Sequence, residues 1–307
     1  MRIVFMGTPE FALPSLKILL DNGYPIAAVV TGPDKPSGRG LQVSGSPVKE
    51  FARERGLDIL QPEKLKSDSF TSSLRALEPD LFVVVAFRIL PPEVFRIPKS
   101  GAFNLHASLL PRYRGAAPIN WAIIRGERET GVTTFFLQES VDTGTVILQA
   151  RVPIGENETA GELHDRLEEV GAEIVLHSVR LIEAGKALPK PQDDSLATPA
   201  PKILKEHCKI DRSKPAIEVH NLVRGLSPRP CAFAYHNGTL LKVYRTAVAK
   251  ESGAGKPGEI LDAAGRLRVS TGDGVIEIME IQQEGKRKMP MGEFLRGYRL
   301  PVGERLE

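Results

Sequence analysis

Apolar positions in the first half of the chain fall into short continuous runs that alternate with amphipathic stretches. The run LFVVVA at residues 81–86 is apolar throughout, which is typical of a strand covered on both faces. Residues 9–22 instead carry apolar side chains at helical spacing. Such alternation predicts a doubly wound, largely parallel α/β sheet. The predicted strands are residues 2–6, 25–31, 81–86, 101–105 and 132–138, and the predicted helices are residues 9–22, 46–55, 117–125 and 160–184.

The pattern of the chain changes after residue 188. The segment PKPQDDSLATPAPK has no periodicity and is rich in proline and small polar residues, so it predicts an extended linker. A helical start at 215–225 and five short β-like runs follow, with Asn237-Gly238 as the clearest hairpin signal. A helix followed by five short strands predicts a small OB-like β-barrel. The predicted division is an α/β domain at 1–188, a linker at 189–207 and an OB-like domain at 208–307.

Length and composition are those of an ordinary globular protein and exclude several classes. The 307 residues can bury a real core, and 41% of them are hydrophobic. Two cysteines, Cys208 and Cys231, cannot build a disulfide framework and favour a reducing compartment. The N-terminus MRIVFMGT lacks the features of a secretory signal, and no apolar run approaches the ~20 residues that span a bilayer. These features predict a cytoplasmic protein.

The net charge of +3 is distributed unevenly along the chain. Residues 201–307 contain 19 Lys and Arg against 13 Asp and Glu, whereas residues 1–200 contain 22 against 25. The excess positive charge of the C-terminal third favours an anionic partner, with nucleic acid as the first choice. Lys286, Arg287 and Lys288 form a basic run there and are predicted to contact the phosphates of such a nucleic acid. The alternative for this run is a solvated hairpin tip.

Three polar residues near predicted strand ends are candidates for catalysis. Asn104 and His106 alternate onto one face of the strand at 101–105, and Asp142 follows the strand at 132–138. Catalytic groups of open α/β sheets collect at such carboxyl ends. The amide can polarise a carbonyl, the imidazole can handle protons, and the carboxylate can orient the imidazole. Since the sequence has no Ser or Cys in a strained elbow, the set favours acyl transfer without a covalent intermediate; the alternative is three structural residues.

Two loops that contain glycine follow the first two predicted strands. The loop GTPEF at 7–11 has one of the three glycines of the dinucleotide fingerprint, and this disfavours a nicotinamide cofactor. The loop TGPDKPSGRG at 31–40 lacks the spacing of a phosphate-binding P-loop. With Arg39 between two glycines it can hold a flexible anionic partner, and its alternative is a solvated connector. No group of His, Cys and Asp in the sequence has convincing zinc spacing.

Several motifs together resemble the folate-dependent formyltransferases. They are Asn104-x-His106-x-Ser108-Leu109-Leu110-Pro111, then Tyr113-Arg114-Gly115, and finally Asp142-Thr143-Gly144. Four further segments more closely resemble the members of that family that act on methionyl-initiator tRNA. These are GTPEFALPSL at 7–16, PDKPSGRG at 33–40, SPVK at 46–49 and GKRKMPMGEFLRGYR at 285–299. The resemblance therefore runs from the first predicted strand to the last few residues.

The resemblance implies a Rossmann-like formyltransferase domain joined to a C-terminal OB-like β-barrel domain. It also implies transfer of a formyl group from 10-formyltetrahydrofolate, as cosubstrate and without a metal, to the α-amine of methionine on initiator tRNA. Asn104, His106 and Asp142 would be catalytic, and Arg39 would reach the acceptor stem of the tRNA. The implied folate-binding residues are Ser108, Leu109, Leu110, Pro111, Phe87 and Leu90. The chain departs from the family at Arg88, since a small glycine usually follows the aromatic residue there.

Other functions stay open from the sequence. The same chemistry could serve a small amine such as a glycinamide ribonucleotide or an amino sugar, or it could hydrolyse formyltetrahydrofolate. The basic C-terminal domain and the Arg39 loop argue against both, because neither reaction requires them. A non-catalytic RNA-binding protein on the same scaffold is disfavoured, since Asn104, His106 and Asp142 are all present.

Overall fold

The computed structural model describes residues 1–37, 42–250 and 255–307. The chain forms two compact units, and each is assembled from several segments. The first unit contains residues 1–115, 131–152 and 164–199, and the second contains residues 116–130, 153–163 and 200–307. Residues 189–199 of the predicted linker are thus part of the first unit. The division into domains at 188 and 207 stays a prediction.

Helices and strands alternate through the first part of the chain, and strands dominate the last part. The strands are β1 (Ile3–Gly7), β2 (Ile26–Val30), β3 (Lys35–Ser37), β4 (Gln42–Ser44), β5 (Ile59–Leu60), β6 (Leu81–Val85), β7 (Ala102–His106), β8 (Glu129–Phe136), β9 (Val146–Pro153), β10 (Ala232–His236), β11 (Thr239–Val248), β12 (Ile260–Asp262), β13 (Leu267–Ser270), β14 (Val275–Gln283) and β15 (Met289–Pro290). The helices are α1 (Leu13–Asp21), α2 (Pro47–Glu54), α3 (Asp68–Ala76), α4 (Pro92–Phe95), α5 (Pro118–Ile124), α6 (Ala160–Glu183), α7 (Ala216–Leu226) and α8 (Met291–Gly297). All the elements predicted from periodicity in the first half are present within a few residues of their expected bounds.

The first unit is organised around a seven-stranded sheet with the order β5-β2-β1-β6-β7-β8-β9. The pairs β2–β1, β1–β6 and β6–β7 are parallel, whereas β8 runs antiparallel to β7. β1 and β6 are buried along their whole length, as their apolar sequences require. The prediction of a largely parallel α/β sheet is confirmed. The strand order reverses at β1, so the carboxyl ends of β1, β6 and β7 share the edge where such sheets carry their sites.

Some elements left no clear periodic signal in the sequence. Helix α3 packs Phe70 and Leu74 against the sheet residues Val4 and Phe82, although six of the nine residues in its sequence, DSFTSSLRA, are polar. Strands β3 and β4 form a small antiparallel pair inside the stretch that the sequence indicated as a loop. Strands of three residues are too short to show a period. Arg39 lies between them, outside the described residues.

The second unit contains a curled antiparallel sheet with the order β10-β11-β14-β13-β12, and β15 pairs with β14. Its core includes Val223 and Leu226 of α7 packed with Leu241, Val243 and Ile278 of the sheet. The five predicted β-like runs correspond to β10 to β14, and the prediction of a barrel-like C-terminal fold is confirmed. Residues 303–307 extend this curl, because they pair with both edge strands of the sheet. Glu307 exchanges two backbone hydrogen bonds of 2.7 Å with Tyr235 on β10, and Leu306 donates one to Gly258 just before β12.

Two buried polar side chains of α7 are anchored to residues 153–163 within the second unit. Arg224 is 6% exposed and donates from Nη1 to the carbonyl oxygens of Gly155 (3.1 Å) and Glu158 (3.3 Å). His220 is 3% exposed and lies between the Glu156 carbonyl oxygen (3.2 Å) and Thr246 Oγ1 (2.9 Å). Burial lowers the pKa of both side chains. Across the described ranges, no helix is long and apolar enough to cross a membrane.

Candidate active site

Strand β7 carries both Asn104 and His106 at the site edge of the sheet. Two residues apart on a strand, they point to the same face. His106 is 7% exposed, and Asn104 is half-buried. The register pairs Asn104 with Phe135 and His106 with Thr133, so β8 supports both positions from one side. Asn104 and His106 therefore lie on one face of the strand, as the sequence predicts.

The tautomer of His106 follows from its partner. Its Nε2 lies 2.8 Å from the backbone carbonyl oxygen of Tyr113, and a carbonyl oxygen can only accept a hydrogen bond. Nε2 therefore carries a proton in every ionisation state of the ring. Tyr113 holds that carbonyl in place from a left-handed backbone conformation, with φ at +60°. Proton exchange by His106 is thus confined to Nδ1.

Asp142 faces the free nitrogen of His106. Its Oδ2 lies 3.9 Å from His106 Nδ1 and accepts a hydrogen bond of 2.9 Å from the Gly115 amide. The backbone of Asp142 is left-handed, with φ at +58°. Gly144 follows in a place where an added Cβ would collide with the Phe136 carbonyl oxygen. Local geometry thus requires glycine at position 144, in the same turn that places the Asp142 carboxylate near His106.

The loop at 108–111, which the resemblance implied for folate binding, is held by two polar side chains. Thr133 Oγ1 donates to the Ser108 carbonyl oxygen (2.6 Å) and accepts from the Leu110 amide (3.2 Å). Gln149 Nε2 donates to the Leu110 carbonyl oxygen and to Thr133 Oγ1, each at 2.9 Å. Ser108 is fully buried, and its hydroxyl donates to the Arg112 carbonyl oxygen at 2.6 Å. Sequence reasoning did not find the two supporting side chains, because both act on backbone atoms.

The other residues implied for folate binding lie between β6 and α4. Leu90 is buried in a core cluster of the first unit, and Phe87 packs against that cluster. Arg88 donates to the carbonyl oxygens of Pro62 (2.7 Å) and Glu63 (3.0 Å), and burial lowers the pKa of its guanidinium. The guanidinium of Arg88 therefore binds the backbone at residues 62–63. The role of all these residues in binding folate stays a prediction.

The basic run predicted to bind tRNA is exposed in the second unit. Arg287 forms an ion pair with Glu293, and Lys288 Nζ lies 2.9 Å from Glu280 Oε2 and 5.4 Å from the centre of the Tyr244 ring. Lys286 is exposed in the turn between β14 and β15. Two of the three cations therefore have acidic partners, which reduces the net positive charge of this surface.

The segment at 190–199 runs alongside the site, which sequence reasoning did not foresee. Lys190 and Val146 exchange two backbone hydrogen bonds of 2.8 and 2.9 Å. Thr198 accepts from the Tyr113 amide through Oγ1 and from the Arg114 amide through its carbonyl oxygen, both at 2.9 Å. The sequence predicts an extended linker here, but the stretch contains a turn of 3-10 helix at Asp194–Leu196 and is attached to the loops that hold His106 and Asp142.

The site thus combines an amide, an imidazole with one free nitrogen and a carboxylate at the edge of an α/β sheet. Within the described parts of the chain, no group of His, Cys, Asp or Glu could hold a metal ion. Two family models match the chain: formyl transferase over residues 1–179 and formyl transferase, C-terminal domain, over residues 202–299. The protein therefore belongs to the formyl transferase family.

Curated relatives match this chain over nearly its whole length. A methionyl-tRNA formyltransferase of Caldanaerobacter subterraneus subsp. tengcongensis is 48% identical over 305 residues, which is 99% of each chain. One of Geobacter sulfurreducens is 48% identical over 309 residues, covering 100% of this chain and 96% of the relative. A third relative with the same name and 48% identity comes from Porphyromonas gingivalis, with 98% of this chain and 96% of the relative covered.

Solved structures share the fold at lower sequence identity. The sugar 3N-formyl transferase WlaRD, with dTDP and 5-N-formyl-THF, has a TM-score of 0.70 and 23% identity, covering 94% of this chain and 99% of its own. HypX from Aquifex aeolicus, in complex with tetrahydrofolic acid, has a TM-score of 0.67 and 21% identity, covering 99% of this chain and 50% of its own. These similarities establish the fold alone.

Proposed function

We propose that the protein transfers the formyl group of 10-formyltetrahydrofolate to the α-amine of methionyl-initiator tRNA, as a cytoplasmic enzyme of translation initiation. The observation that carries this proposal is the full-length match at 48% identity to relatives named methionyl-tRNA formyltransferase. The folate compounds named with two structural neighbours support the donor. The product is N-formylmethionyl-tRNA.

The reaction moves one carbon between two nitrogens. The amine nitrogen bonds to the formyl carbon, the bond from that carbon to the donor nitrogen breaks, and the amine loses a proton as the donor nitrogen gains one. Negative charge develops on the formyl oxygen during the attack and is stabilised by hydrogen-bond donors. We assign this role to the Asn104 amide and to the protonated His106 ring, which share one face of β7.

His106 acts through Nδ1 in this proposal, because Nε2 already donates to Tyr113. The 3.9 Å between His106 Nδ1 and Asp142 Oδ2 is too long for a direct hydrogen bond. A water molecule or the reacting amine can bridge two polar atoms at this separation when it lies to one side of the line that joins them, within hydrogen-bond distance of both. We assign Asp142 the orientation of His106 and the relay of the amine proton.

The formyl donor is proposed to bind at Ser108, Leu109, Leu110, Pro111, Phe87 and Leu90. The support for this is the fixed loop at 108–111, whose backbone is tied to Thr133 and Gln149. A fixed loop can present its backbone groups and the exposed face of Leu109 to a flat ring without reorganising. The exposed Ile89, at 73%, adds an apolar side chain next to Leu90.

The tRNA is proposed to contact the second unit at Lys286, Arg287 and Lys288 and the first unit at Arg39. The excess of basic residues after position 200 supports the first part. An arginine between glycines suits the proposed contact at Arg39, because its planar guanidinium can form paired hydrogen bonds with a phosphate or a base edge. Arg39→Ala is expected to impair transfer to tRNA more than folate binding, and Arg39→Lys to restore only part of the loss.

A formyl-transfer assay with charged initiator tRNA tests the proposal directly. Purified protein with 10-formyltetrahydrofolate is expected to formylate methionyl-initiator tRNA far faster than methionine methyl ester or a dTDP-amino sugar. The amino sugar is included because a structural neighbour is a sugar formyl transferase. Preferential formylation of the sugar nucleotide, or release of formate without an amine acceptor, would replace the proposed substrate.

A further inference from the structure

Gln192 uses all its hydrogen-bonding capacity in joining two loops of the site. Its Nε2 donates to the carbonyl oxygens of Asp142 (2.9 Å) and Gly144 (2.8 Å). Its Oε1 accepts from Arg114 Nε (3.2 Å) and Arg114 Nη2 (2.7 Å). A glutamine amide offers two donor hydrogens and two acceptor lone pairs, and all four are occupied here.

Those two loops are the ones that hold the His106–Asp142 pair. The first, at 113–115, provides the carbonyl oxygen that binds His106 Nε2 and the amide that binds Asp142 Oδ2. The second, at 142–144, carries the Asp142 carboxylate itself. Gln192 links the two loops directly. Its amide nitrogen bonds the backbone of the second loop, and its amide oxygen binds the side chain of Arg114, which lies between Tyr113 and Gly115 in the first.

We propose that Gln192 is a positioning residue, which keeps the Asp142 carboxylate within reach of His106 Nδ1 during the formyl transfer assigned above. The proposal rests on that function. Its basis is that the left-handed backbone of Asp142 is less favourable than the right-handed one, even for an aspartate, so contacts from outside the turn stabilise it. The two bonds from Gln192 hold the peptide groups at the start and end of this turn.

Loss of these bonds is expected to act on the chemical step. A misplacement of about 1 Å in a catalytic group can cost roughly 100-fold in rate. The hydrogen bonds of Gln192 within the described residues go to Asp142, Gly144 and Arg114, none of which is proposed to bind tRNA. Gln192→Ala is therefore expected to lower kcat about 10- to 100-fold and to leave KM for methionyl-tRNA within about twofold.

Two variants separate positioning of Asp142 from simple contact with Arg114. Gln192→Glu keeps acceptor oxygens for Arg114 but has no hydrogens for the Asp142 and Gly144 carbonyl oxygens, so it is expected to be as slow as Gln192→Ala. Asp194→Asn is the matched control, because Asp194 is an exposed partner of Arg114 (2.6 Å) that does not bond the turn. It is expected to keep kcat within about twofold.

A double-mutant cycle tests whether Gln192 acts through Asp142. If it does, Gln192→Ala will slow the Asp142→Asn enzyme much less than it slows the wild type, because interacting positions are not additive. Equal slowing in both backgrounds, or wild-type kcat in Gln192→Glu, overturns the proposal.

Hydrogen exchange provides a readout that does not depend on activity. The Gly115 amide donates to Asp142 Oδ2, so its exchange is expected to accelerate in Gln192→Ala and Gln192→Glu and to stay unchanged in Asp194→Asn. Unchanged exchange in Gln192→Glu contradicts the positioning role. Failure of the wild type to formylate tRNA contradicts the proposed function instead, and the exchange comparison still applies.

Discussion

Asn104 is the uncharged donor of the proposed site, and its contribution can be isolated. Asn104→Ala removes one hydrogen bond to the developing oxyanion, and such losses lower kcat by about 100- to 1,000-fold. Steady-state kinetics with saturating folate and tRNA measure the effect. Asn22→Ala is a suitable control, because this exposed amide donates to the Ile18 carbonyl oxygen and accepts from Arg180 Nη2, and neither partner belongs to the proposed site. A kcat for Asn104→Ala within threefold of the wild type would remove Asn104 from the mechanism.

His220 makes the stability of the protein sensitive to mild acid. Burial lowers its pKa, so the folded side chain stays neutral where the unfolded one, with an ordinary pKa near 6.5, takes up a proton. The unfolded state therefore binds more protons as the pH falls below about 6.5, and the free energy of unfolding decreases. His220→Gln is expected to flatten this dependence between about pH 6.5 and 5.

Denaturant unfolding of the wild type, His220→Gln and His177→Gln at several pH values measures that dependence. His177 is exposed on α6 and serves as the control, expected to keep the slope of the wild type. A steep loss of stability in His220→Gln equal to that of the wild type would assign the acid sensitivity to other groups.

The sequence predicted that His106 and Asp142 lie close together at neighbouring strand ends, and the two side chains do approach each other, but for another reason. β8 runs antiparallel to β7, so its carboxyl end lies beside Phe103, and the loop after β8 brings Asp142 back to His106. The residues that orient them could not be predicted. Tyr113 acts through its carbonyl oxygen, and Gln192 bonds carbonyl oxygens from a segment without periodicity. Contacts from a side chain to a distant backbone leave no period in the sequence and do not depend on local propensity.

At the scale of elements, the turn after β8 has a strict requirement for glycine. A Cβ on Gly144 would collide with the Phe136 carbonyl oxygen. Gly144→Ala is expected to destabilise the protein by about 1–3 kcal/mol and to lower kcat, because the turn also carries Asp142. Thermal unfolding and kinetics are the measurements. Gly297→Ala, where nothing lies within 4 Å of the added Cβ, is expected to have neither effect. Wild-type stability in Gly144→Ala would mean that the turn adapts.

The sequence predicted central elements better than peripheral ones, for physical reasons. β6 is apolar at every position because both of its faces are covered, and this left a clear signal. In β9 only one of eight residues is buried, and apolar and polar residues are mixed, whereas β5 has only two residues. The prolines at 189–202 predicted an extended linker, but they do not reveal that residues 190–199 are part of the first unit and include a turn of 3-10 helix.

At the scale of the whole molecule, the uneven charge predicts an effect on tRNA affinity. Replacing Lys286, Arg287 and Lys288 by Ala is expected to raise KM for tRNA and reduce its salt dependence, because fewer counterions are released on binding. KM for folate is expected to stay unchanged. Assays at several salt concentrations measure both constants.

A matched triple variant controls for the loss of three charges. Lys17, Arg53 and Lys66 are also exposed, and each forms an ion pair, but they lie in the first unit. Their replacement by Ala is expected to change KM for tRNA less. Equal effects of the two triple variants would show that only total charge matters.

The make-up of the second unit limits how it can be exchanged between proteins. Arg224 and His220 take backbone partners from residues 155–158, which lie more than forty residues before the segment 200–307 that carries most of that unit. A gene fusion that transfers only the part after residue 200 would leave a buried guanidinium without these carbonyl oxygens, at a cost of roughly 1–3 kcal/mol or more. The part after residue 200 is therefore not expected to fold stably when it is fused alone to another protein. Swapping it onto another catalytic scaffold requires that residues 116–130 and 153–163 be transplanted with it.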